Sequence, residues 1–257
     1  MKRMVFVGTL ASGEAELEQC KAAVARQAGP VHVVQEVISG MPERAAHDAL
    51  WELWRSIRSK YDVFVKIDAD TVLLNDFVLA RISEAFELNP RLTGMQLPIL
   101  DYFTNGPIAG LNAFSPHVEF RPSSDLFCDR ADSNHDLVLK CPESPVNMTQ
   151  ERLLERAAVL GLVFMQGGAP PVPAARHCFD ASDAQAFHFG VHRALKGQHN
   201  VIDRVRAAWN IAHDRRRWLA LAGADAAPEF LGRSADYENP AFLPGLARAV
   251  KEAPCAV

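Results

Sequence analysis

Tyr61-Asp62-Val63-Phe64-Val65-Lys66-Ile67-Asp68-Ala69-Asp70-Thr71-Val72-Leu73 is the stretch on which the fold reading turns. Its apolar run, interrupted only by Lys66, reads as a buried strand of a parallel sheet. Asp68-Ala69-Asp70 follows at once, so two carboxylates emerge at the carboxyl end of that strand, the edge where open α/β sheets collect ligands. Two carboxylates one residue apart in a strand-to-loop turn can converge on a hard cation that takes oxygen ligands and bridges phosphate oxygens. The same pattern also serves plainer ends, because Asp at a strand end caps a helix or closes a turn.

Upstream, residues 4–8 form a short apolar run that the Gly8-Thr9 turn signal closes, and it is read as the first strand rather than a signal peptide. Leu17, Cys20 and Val24 give residues 14–27 the stripe of an amphipathic helix, closed by Ala28-Gly29-Pro30. Residues 31–37 are β-branched and apolar again. Pro42 then stands where a first helical residue belongs, and Ala46, Leu50, Trp54 and Ile57 repeat with helical period to about Lys60, with Trp51 and Trp54 expected in the core. Three βα units in succession predict right-handed crossovers and a mostly parallel, Rossmann-like sheet flanked by helices.

Downstream, a helix is expected from about Asn75 and a further strand at 95–97. Residues 98–140 lose periodicity and fill with Pro, Gly, Asn, Ser and Asp, which predicts a functional loop system. Thr149 opens a helical pattern, 162–165 reads as a strand, Gly167 to Pro171 as a turn, and the residues leading to His177 as a strand or extended loop. Ser182 with Gln185 is a capping box for a helix ending at Lys196-Gly197. One long helix at 201–221 and a short one at 242–252 complete an α/β chain with a helical C-terminal region. The expected organisation is one domain over 1–257, with halves at 1–97 and 98–198 and C-terminal helices at 199–257.

The composition excludes several classes. With 257 residues, 49% hydrophobic and 23% charged, the chain can bury a full core and is too apolar to be disordered. The longest apolar run, 157–165, is about half of the roughly 20 residues a membrane span needs. A formal charge of −4 gives no footprint for nucleic acid. Five cysteines without CxxC spacing support neither a disulfide framework nor a zinc knuckle, and place the chain in a reducing, cytoplasmic setting.

Residues 61–73, about sixty residues after an N-terminal strand, resemble the D-x-D segment of GT-A-fold, nucleotide-sugar-dependent glycosyltransferases of the family 2-like type. The resemblance extends over most of 1–196, although only this segment is sharp. It implies a metal-dependent transferase, of hexosyltransferase type, moving a sugar from a UDP- or GDP-sugar to a carbohydrate or other hydroxyl acceptor with Mn2+ or Mg2+. It assigns the cation to Asp70 and ribose or the ion's water shell to Asp68. It offers Thr9, Glu14 and Glu36 for the nucleotide, and a late His, His177 or His188, to complete the metal site; His188 also forms an i, i+4 pair with His192. Residues Gly106 to Ser115 resemble the segment under the donor sugar, or are turns flanking a strand. Should the reaction invert the anomeric centre, a carboxylate must deprotonate the acceptor. Among Asp101, Asp125, Asp129, Asp132 and Asp136, the resemblance favours Asp132 and Asp136.

Arg176, Arg193 and Lys196 are available to the diphosphate or are plain surface charge, the last two sharing a helix face. The cluster His213 to Arg217 suits anionic lipid headgroups, hence peripheral membrane contact, or an acidic acceptor, or simply the last turn of a helix. A rival resemblance is to haloacid-dehalogenase-like Mg2+ phosphohydrolases, with Asp68 as nucleophile. That family carries its motif on the opening strand, whereas two strand units precede it here. A nucleotide or carbohydrate binder without turnover is the third reading.

Overall fold

The computed structural model describes residues 2–88, 90, 92, 94–117, 173–177, 182–231 and 243–254. In chain order these form β1 (Arg3–Ala11), α1 (Leu17–Ala25), β2 (Val31–Ser39), α2 (Glu43–Ile57), a 3-10 turn (Arg58–Lys60), β3 (Val63–Asp68), β4 (Thr71–Leu73) and α3 (Val78–Leu88). The hairpin β5 (Gly94–Asp101) and β6 (Gly106–Phe114) follows, then β7 (Ala174–Arg176). Helices α4 (Asp183–Leu195), α5 (His199–Ala212), α6 (Arg215–Ala226) and α7 (Leu243–Glu252) complete the chain, with a second 3-10 turn at Ala227–Phe230.

The strands make one seven-stranded sheet in the order β2-β1-β3-β6-β5-β7-β4. β2, β1, β3, β5 and β7 run one way and β6 and β4 the other, so the sheet is mixed but mostly parallel. Alternation along β1 and β3 explains why both are mostly apolar on both faces. Val5, Val7, Val63 and Val65 join one core cluster with residues of α1 and α3, while Phe6 and Phe64 join another with Leu50, Trp51 and Trp54 of α2. A third cluster lies among the C-terminal helices around Phe187, Leu219 and Phe230. Among the described residues, no helix is long and apolar enough to cross a membrane.

Four sequence expectations change. Gly8 does not end β1 but lies inside it, where a Cβ would fall 2.4 Å from Leu50 Cδ1; the glycine admits α2 rather than a turn. The supposed loop beginning at residue 98 holds the end of β5 and all of β6, whose Gly, Pro and Asn content masks a strand paired on both sides. Pro98 stands where the register shifts between Leu97 and Pro98, the kind of irregularity at which proline is found in strands. The long C-terminal helix is two helices: His213 adopts a left-handed φ of 50°, and the Asp214 side chain caps α6 by accepting from Arg217 N at 2.9 Å. The arginines therefore begin a helix rather than end one. The features expected at 149–160, 162–165 and 167–171 lie outside the described residues.

Candidate active site

Strand register assembles the site before any side chain does. β3 ends at Asp68, and Ala69 N donates to Leu10 O of β1 at 2.8 Å, which turns Asp70 off the sheet edge toward β4. β7 then pairs with β4, Thr71 opposite Arg176, and with β5, Asp101 opposite Arg176. Three remote segments thereby place Asp70, Asp101, Arg176 and His177 side by side.

His177 stands at their centre. Its Nε2 lies 2.8 Å from Asp70 Oδ2 and its Nδ1 3.0 Å from Asp101 Oδ1. Its backbone is left-handed at φ 56°, an uncommon conformation for a residue with a Cβ, and it is held there by His177 N donating to Asp70 O at 3.1 Å and Arg216 Nη1 donating to His177 O at 3.1 Å. The ring packs against Phe103 and Phe189 at centroid distances of 4.9 and 5.2 Å. Around it, Arg176 Nε donates to Asp70 Oδ2 at 2.8 Å and Arg176 Nη2 is 3.7 Å from Asp68 Oδ2. Lys66, buried in mid-sheet, donates to Asp68 Oδ1 at 2.9 Å.

The electrostatics follow from this packing. Burial alone would raise the Asp70 carboxyl, but Arg176 and His177 outweigh it and hold Asp70 well below the usual carboxylate range. Burial likewise opposes ionisation of Asp101, and its hydrogen bond to His177 prevails to lower it. His177 is raised: burial disfavours its cation, yet Asp70 and Asp101 more than compensate. Glu14 is pushed up to about 7, by desolvation first and then by repulsion from Asp70 and Asp68. Glu16 is fully buried and raised for the same leading reason, and among the described residues its Oε1 has no hydrogen-bond partner.

Of the residues singled out in the sequence, Asp68, Asp70, Asp101, Arg176 and His177 are gathered here. Glu14 lies close enough to feel both aspartates, with its carboxylate accepting from Ser12 N at 2.6 Å. Thr9 is buried within β1 and its Oγ1 accepts from Gln35 Nε2 at 2.8 Å, while Glu36 is exposed on the edge strand β2. His188 stacks on His192 along α4. Arg193 lies over the Phe189 ring and donates to Gln198 Oε1 at 2.8 Å, and Lys196 ends α4 as its C-cap. Asp132 and Asp136, like Asp125 and Asp129, lie outside the described residues.

The arginine cluster is turned inward. Arg217 is buried and donates to the Tyr102 and Phe103 carbonyls, Arg215 pairs with Asp183 at 2.9 Å, and Arg216 lies over the Tyr102 ring while holding His177 O. Sequence reasoning missed Lys66, Glu16 and the role of Asp101. Of these, only Lys66 carried a signal, a charge inside an otherwise apolar strand. Gln185 closes the expected capping box, with Ser182 N donating to its Oε1 at 2.9 Å, and also donates to Glu16 Oε2 at 3.1 Å, tying α4 to the loop after β1.

Among the described residues, no three acidic, His or Cys side chains converge on one point as a closed metal cage. The donor chemistry at Asp70 and His177 nevertheless fits a divalent ion. One carboxylate oxygen and one imidazole nitrogen lie 2.8 Å apart, the spacing of neighbouring ligands in an octahedron of about 2.0–2.1 Å bonds. An ion of that kind keeps its remaining positions for water and substrate phosphate.

No family model matches the chain, and no curated protein matches it. Among solved structures, the chain is similar to a mannosyltransferase from Pyrobaculum calidifontis in complex with GDP-Man and Mn2+, at 13% identity and a TM-score of 0.39, over 98% of this chain and 75% of that one.

Proposed function

We propose that this chain is a metal-dependent glycosyltransferase of the GT-A kind, transferring a sugar from a UDP- or GDP-sugar to a hydroxyl acceptor. The observation that carries the reading is the meeting of Asp70 with His177 at the carboxyl edge of β3, from segments far apart in sequence. In this reading Asp70 and His177 hold Mn2+ or Mg2+, with Asp68 beside them facing the donor. The bound ion would neutralise charge growing on the departing nucleoside diphosphate. Arg176 keeps Asp70 ionised and oriented, and Lys66 holds Asp68 in place. Phe103 and Phe189 hold the imidazole in place and shield it from water. Glu14 supplies the wall next to the aspartates, near the nucleotide. Asp132 and Asp136 remain the proposed bases for an inverting reaction, and a single cytoplasmic domain is the proposed setting.

Release of UDP or GDP from a panel of nucleotide sugars, with and without Mn2+, tests the proposal. Release that depends on the ion and is lost in Asp70→Ala is expected. Absence of release from every donor, or release indifferent both to chelator and to Asp70→Ala, overturns it. Phosphate liberation with a trapped aspartyl-phosphate would favour the hydrolase instead.

A further inference from the structure

Asp101 has no assigned role in the proposed reaction, yet it is fully buried at the last position of β5. Burying a carboxylate is costly unless its oxygens are well occupied. Here the two oxygens divide the work. Oδ2 accepts from Thr104 N at 2.8 Å and shapes the turn between β5 and β6, while Oδ1 faces His177 Nδ1 at 3.0 Å. The ring it faces is also held by Asp70 Oδ2, 2.8 Å from Nε2, by the left-handed backbone, by Arg216 on the carbonyl and by Phe103 and Phe189.

We infer that Asp101 is a positioning residue for the metal centre: it keeps the proton of His177 on Nδ1, so that Nε2 is presented to a divalent cation beside the Asp70 carboxylate. The inference rests on the metal-dependent reading above and adds to it a residue that never touches ion or substrate. Histidines that ligate metals usually donate their other ring N–H to a carboxylate or carbonyl, and loss of that partner typically weakens metal binding about 10–100-fold. A role confined to shaping the turn would need only Oδ2. Asp101→Asn separates the two roles without changing shape. Its one carbonyl oxygen can still serve Thr104 N, but its amide then points a donor at Nδ1, which moves the ring proton to Nε2 and blocks the ligand position.

The test uses the full chain and metal alone. Mn2+ binding is titrated by electron paramagnetic resonance for wild type and Asp101→Asn, and long-range 1H–15N spectra of the Zn2+-loaded wild type report which nitrogen of His177 carries the proton. Binding about 10–100-fold weaker in Asp101→Asn, with an unchanged far-UV spectrum and Nδ1 protonated in the Zn2+ form, is the expected result. Equal Mn2+ affinity in the two proteins, or Zn2+ on Nδ1, overturns the role of Asp101 and leaves the transferase reading standing. Wild type that takes up no Mn2+, even with nucleotide sugar present, overturns both. If Asp101→Asn does not fold, the wild-type spectrum decides alone.

Discussion

Asp70→Asn is the most informative single change, because it removes one charge and almost no volume. Asp70 Oδ2 lies 2.8 Å from both Arg176 Nε and His177 Nε2, and the residue is 4% exposed. Removing one member of a buried ion pair typically costs about 3–5 kcal/mol, because the remaining charge loses its compensation. Two features place this site at the lower end. The Arg176 side chain keeps 20% exposure and has Asp68 3.7 Å away, and His177 can shed its proton once its partner is gone. A loss of about 3 kcal/mol is therefore expected, equivalent to a fall in Tm of roughly 6–12 °C for a chain of this size. Urea unfolding at pH 6, where wild-type His177 is charged, measures it. Pairing the change with Arg176→Gln should recover part of the loss, since the double variant removes the stranded cation. A change under about 0.5 kcal/mol, the scale of an ordinary surface substitution, would refute the argument that these groups hold one another.

Three further outcomes are expected. Wild-type stability should fall at both ends of the pH range. Asp70 is depressed below its ordinary 3.8, so its contribution is present above that value and lost as pH drops through the folded value; His177 is raised above its ordinary 6.5, so its contribution is present below that value and lost as pH climbs through the folded one. Urea midpoints across pH should show both flanks shrinking in Asp70→Asn. Glu14→Gln works with the opposite sign, because a carboxyl raised from 4.5 to about 7 destabilises the fold as it ionises; the variant should gain on wild type as pH rises through that window, read by thermal melts at pH 5 and 8. Gly190→Ala should lower Tm despite a better helix former, because the new Cβ would fall 1.7 Å from Ala220 O on α6, a backbone atom that cannot swing aside; so close an approach takes the overpacking cost to the top of its range, about 3 kcal/mol, and against a propensity gain of about 1 leaves a net loss of about 2 kcal/mol.

Much of the framework was legible in the sequence because local pattern and tertiary role agree there. Apolar β1 and β3, the stripe of α1 and the Ser182–Gln185 cap each announce in a few residues what the structure does with them. The readings that failed depend on partners far along the chain. Gly8 looks like punctuation until Leu50 is laid against it, and β6 looks like a loop until β3 and β5 flank it. The aspartate pair was visible as a motif and His177 as the favoured of two histidines, from its place in a loop leading into a helix, but nothing local shows that it lies against Asp70. That contact comes from the pairing of β7 with β4 and β5, which also brings Asp101 from the end of β5. Arg216 and Arg217 misled for the same reason, since a run of basic residues gives no sign that Tyr102, Phe103 and His177 lie beneath it.

β7 is only three residues long, yet it carries Arg176 and delivers His177. Its grip on the rest of the sheet includes Leu74 N to Pro173 O, Tyr102 N to Arg176 O and, just past its end, His177 N to Asp70 O. So short a ladder has few bonds to hold it, and its opening would separate Asp70, Asp101, Arg176 and His177 together. Anything that bridges Asp70 and His177 must first hold that strip of backbone shut. Slowed amide hydrogen exchange at Leu74, Tyr102 and His177 would then report occupancy, even for a ligand that turns over nothing.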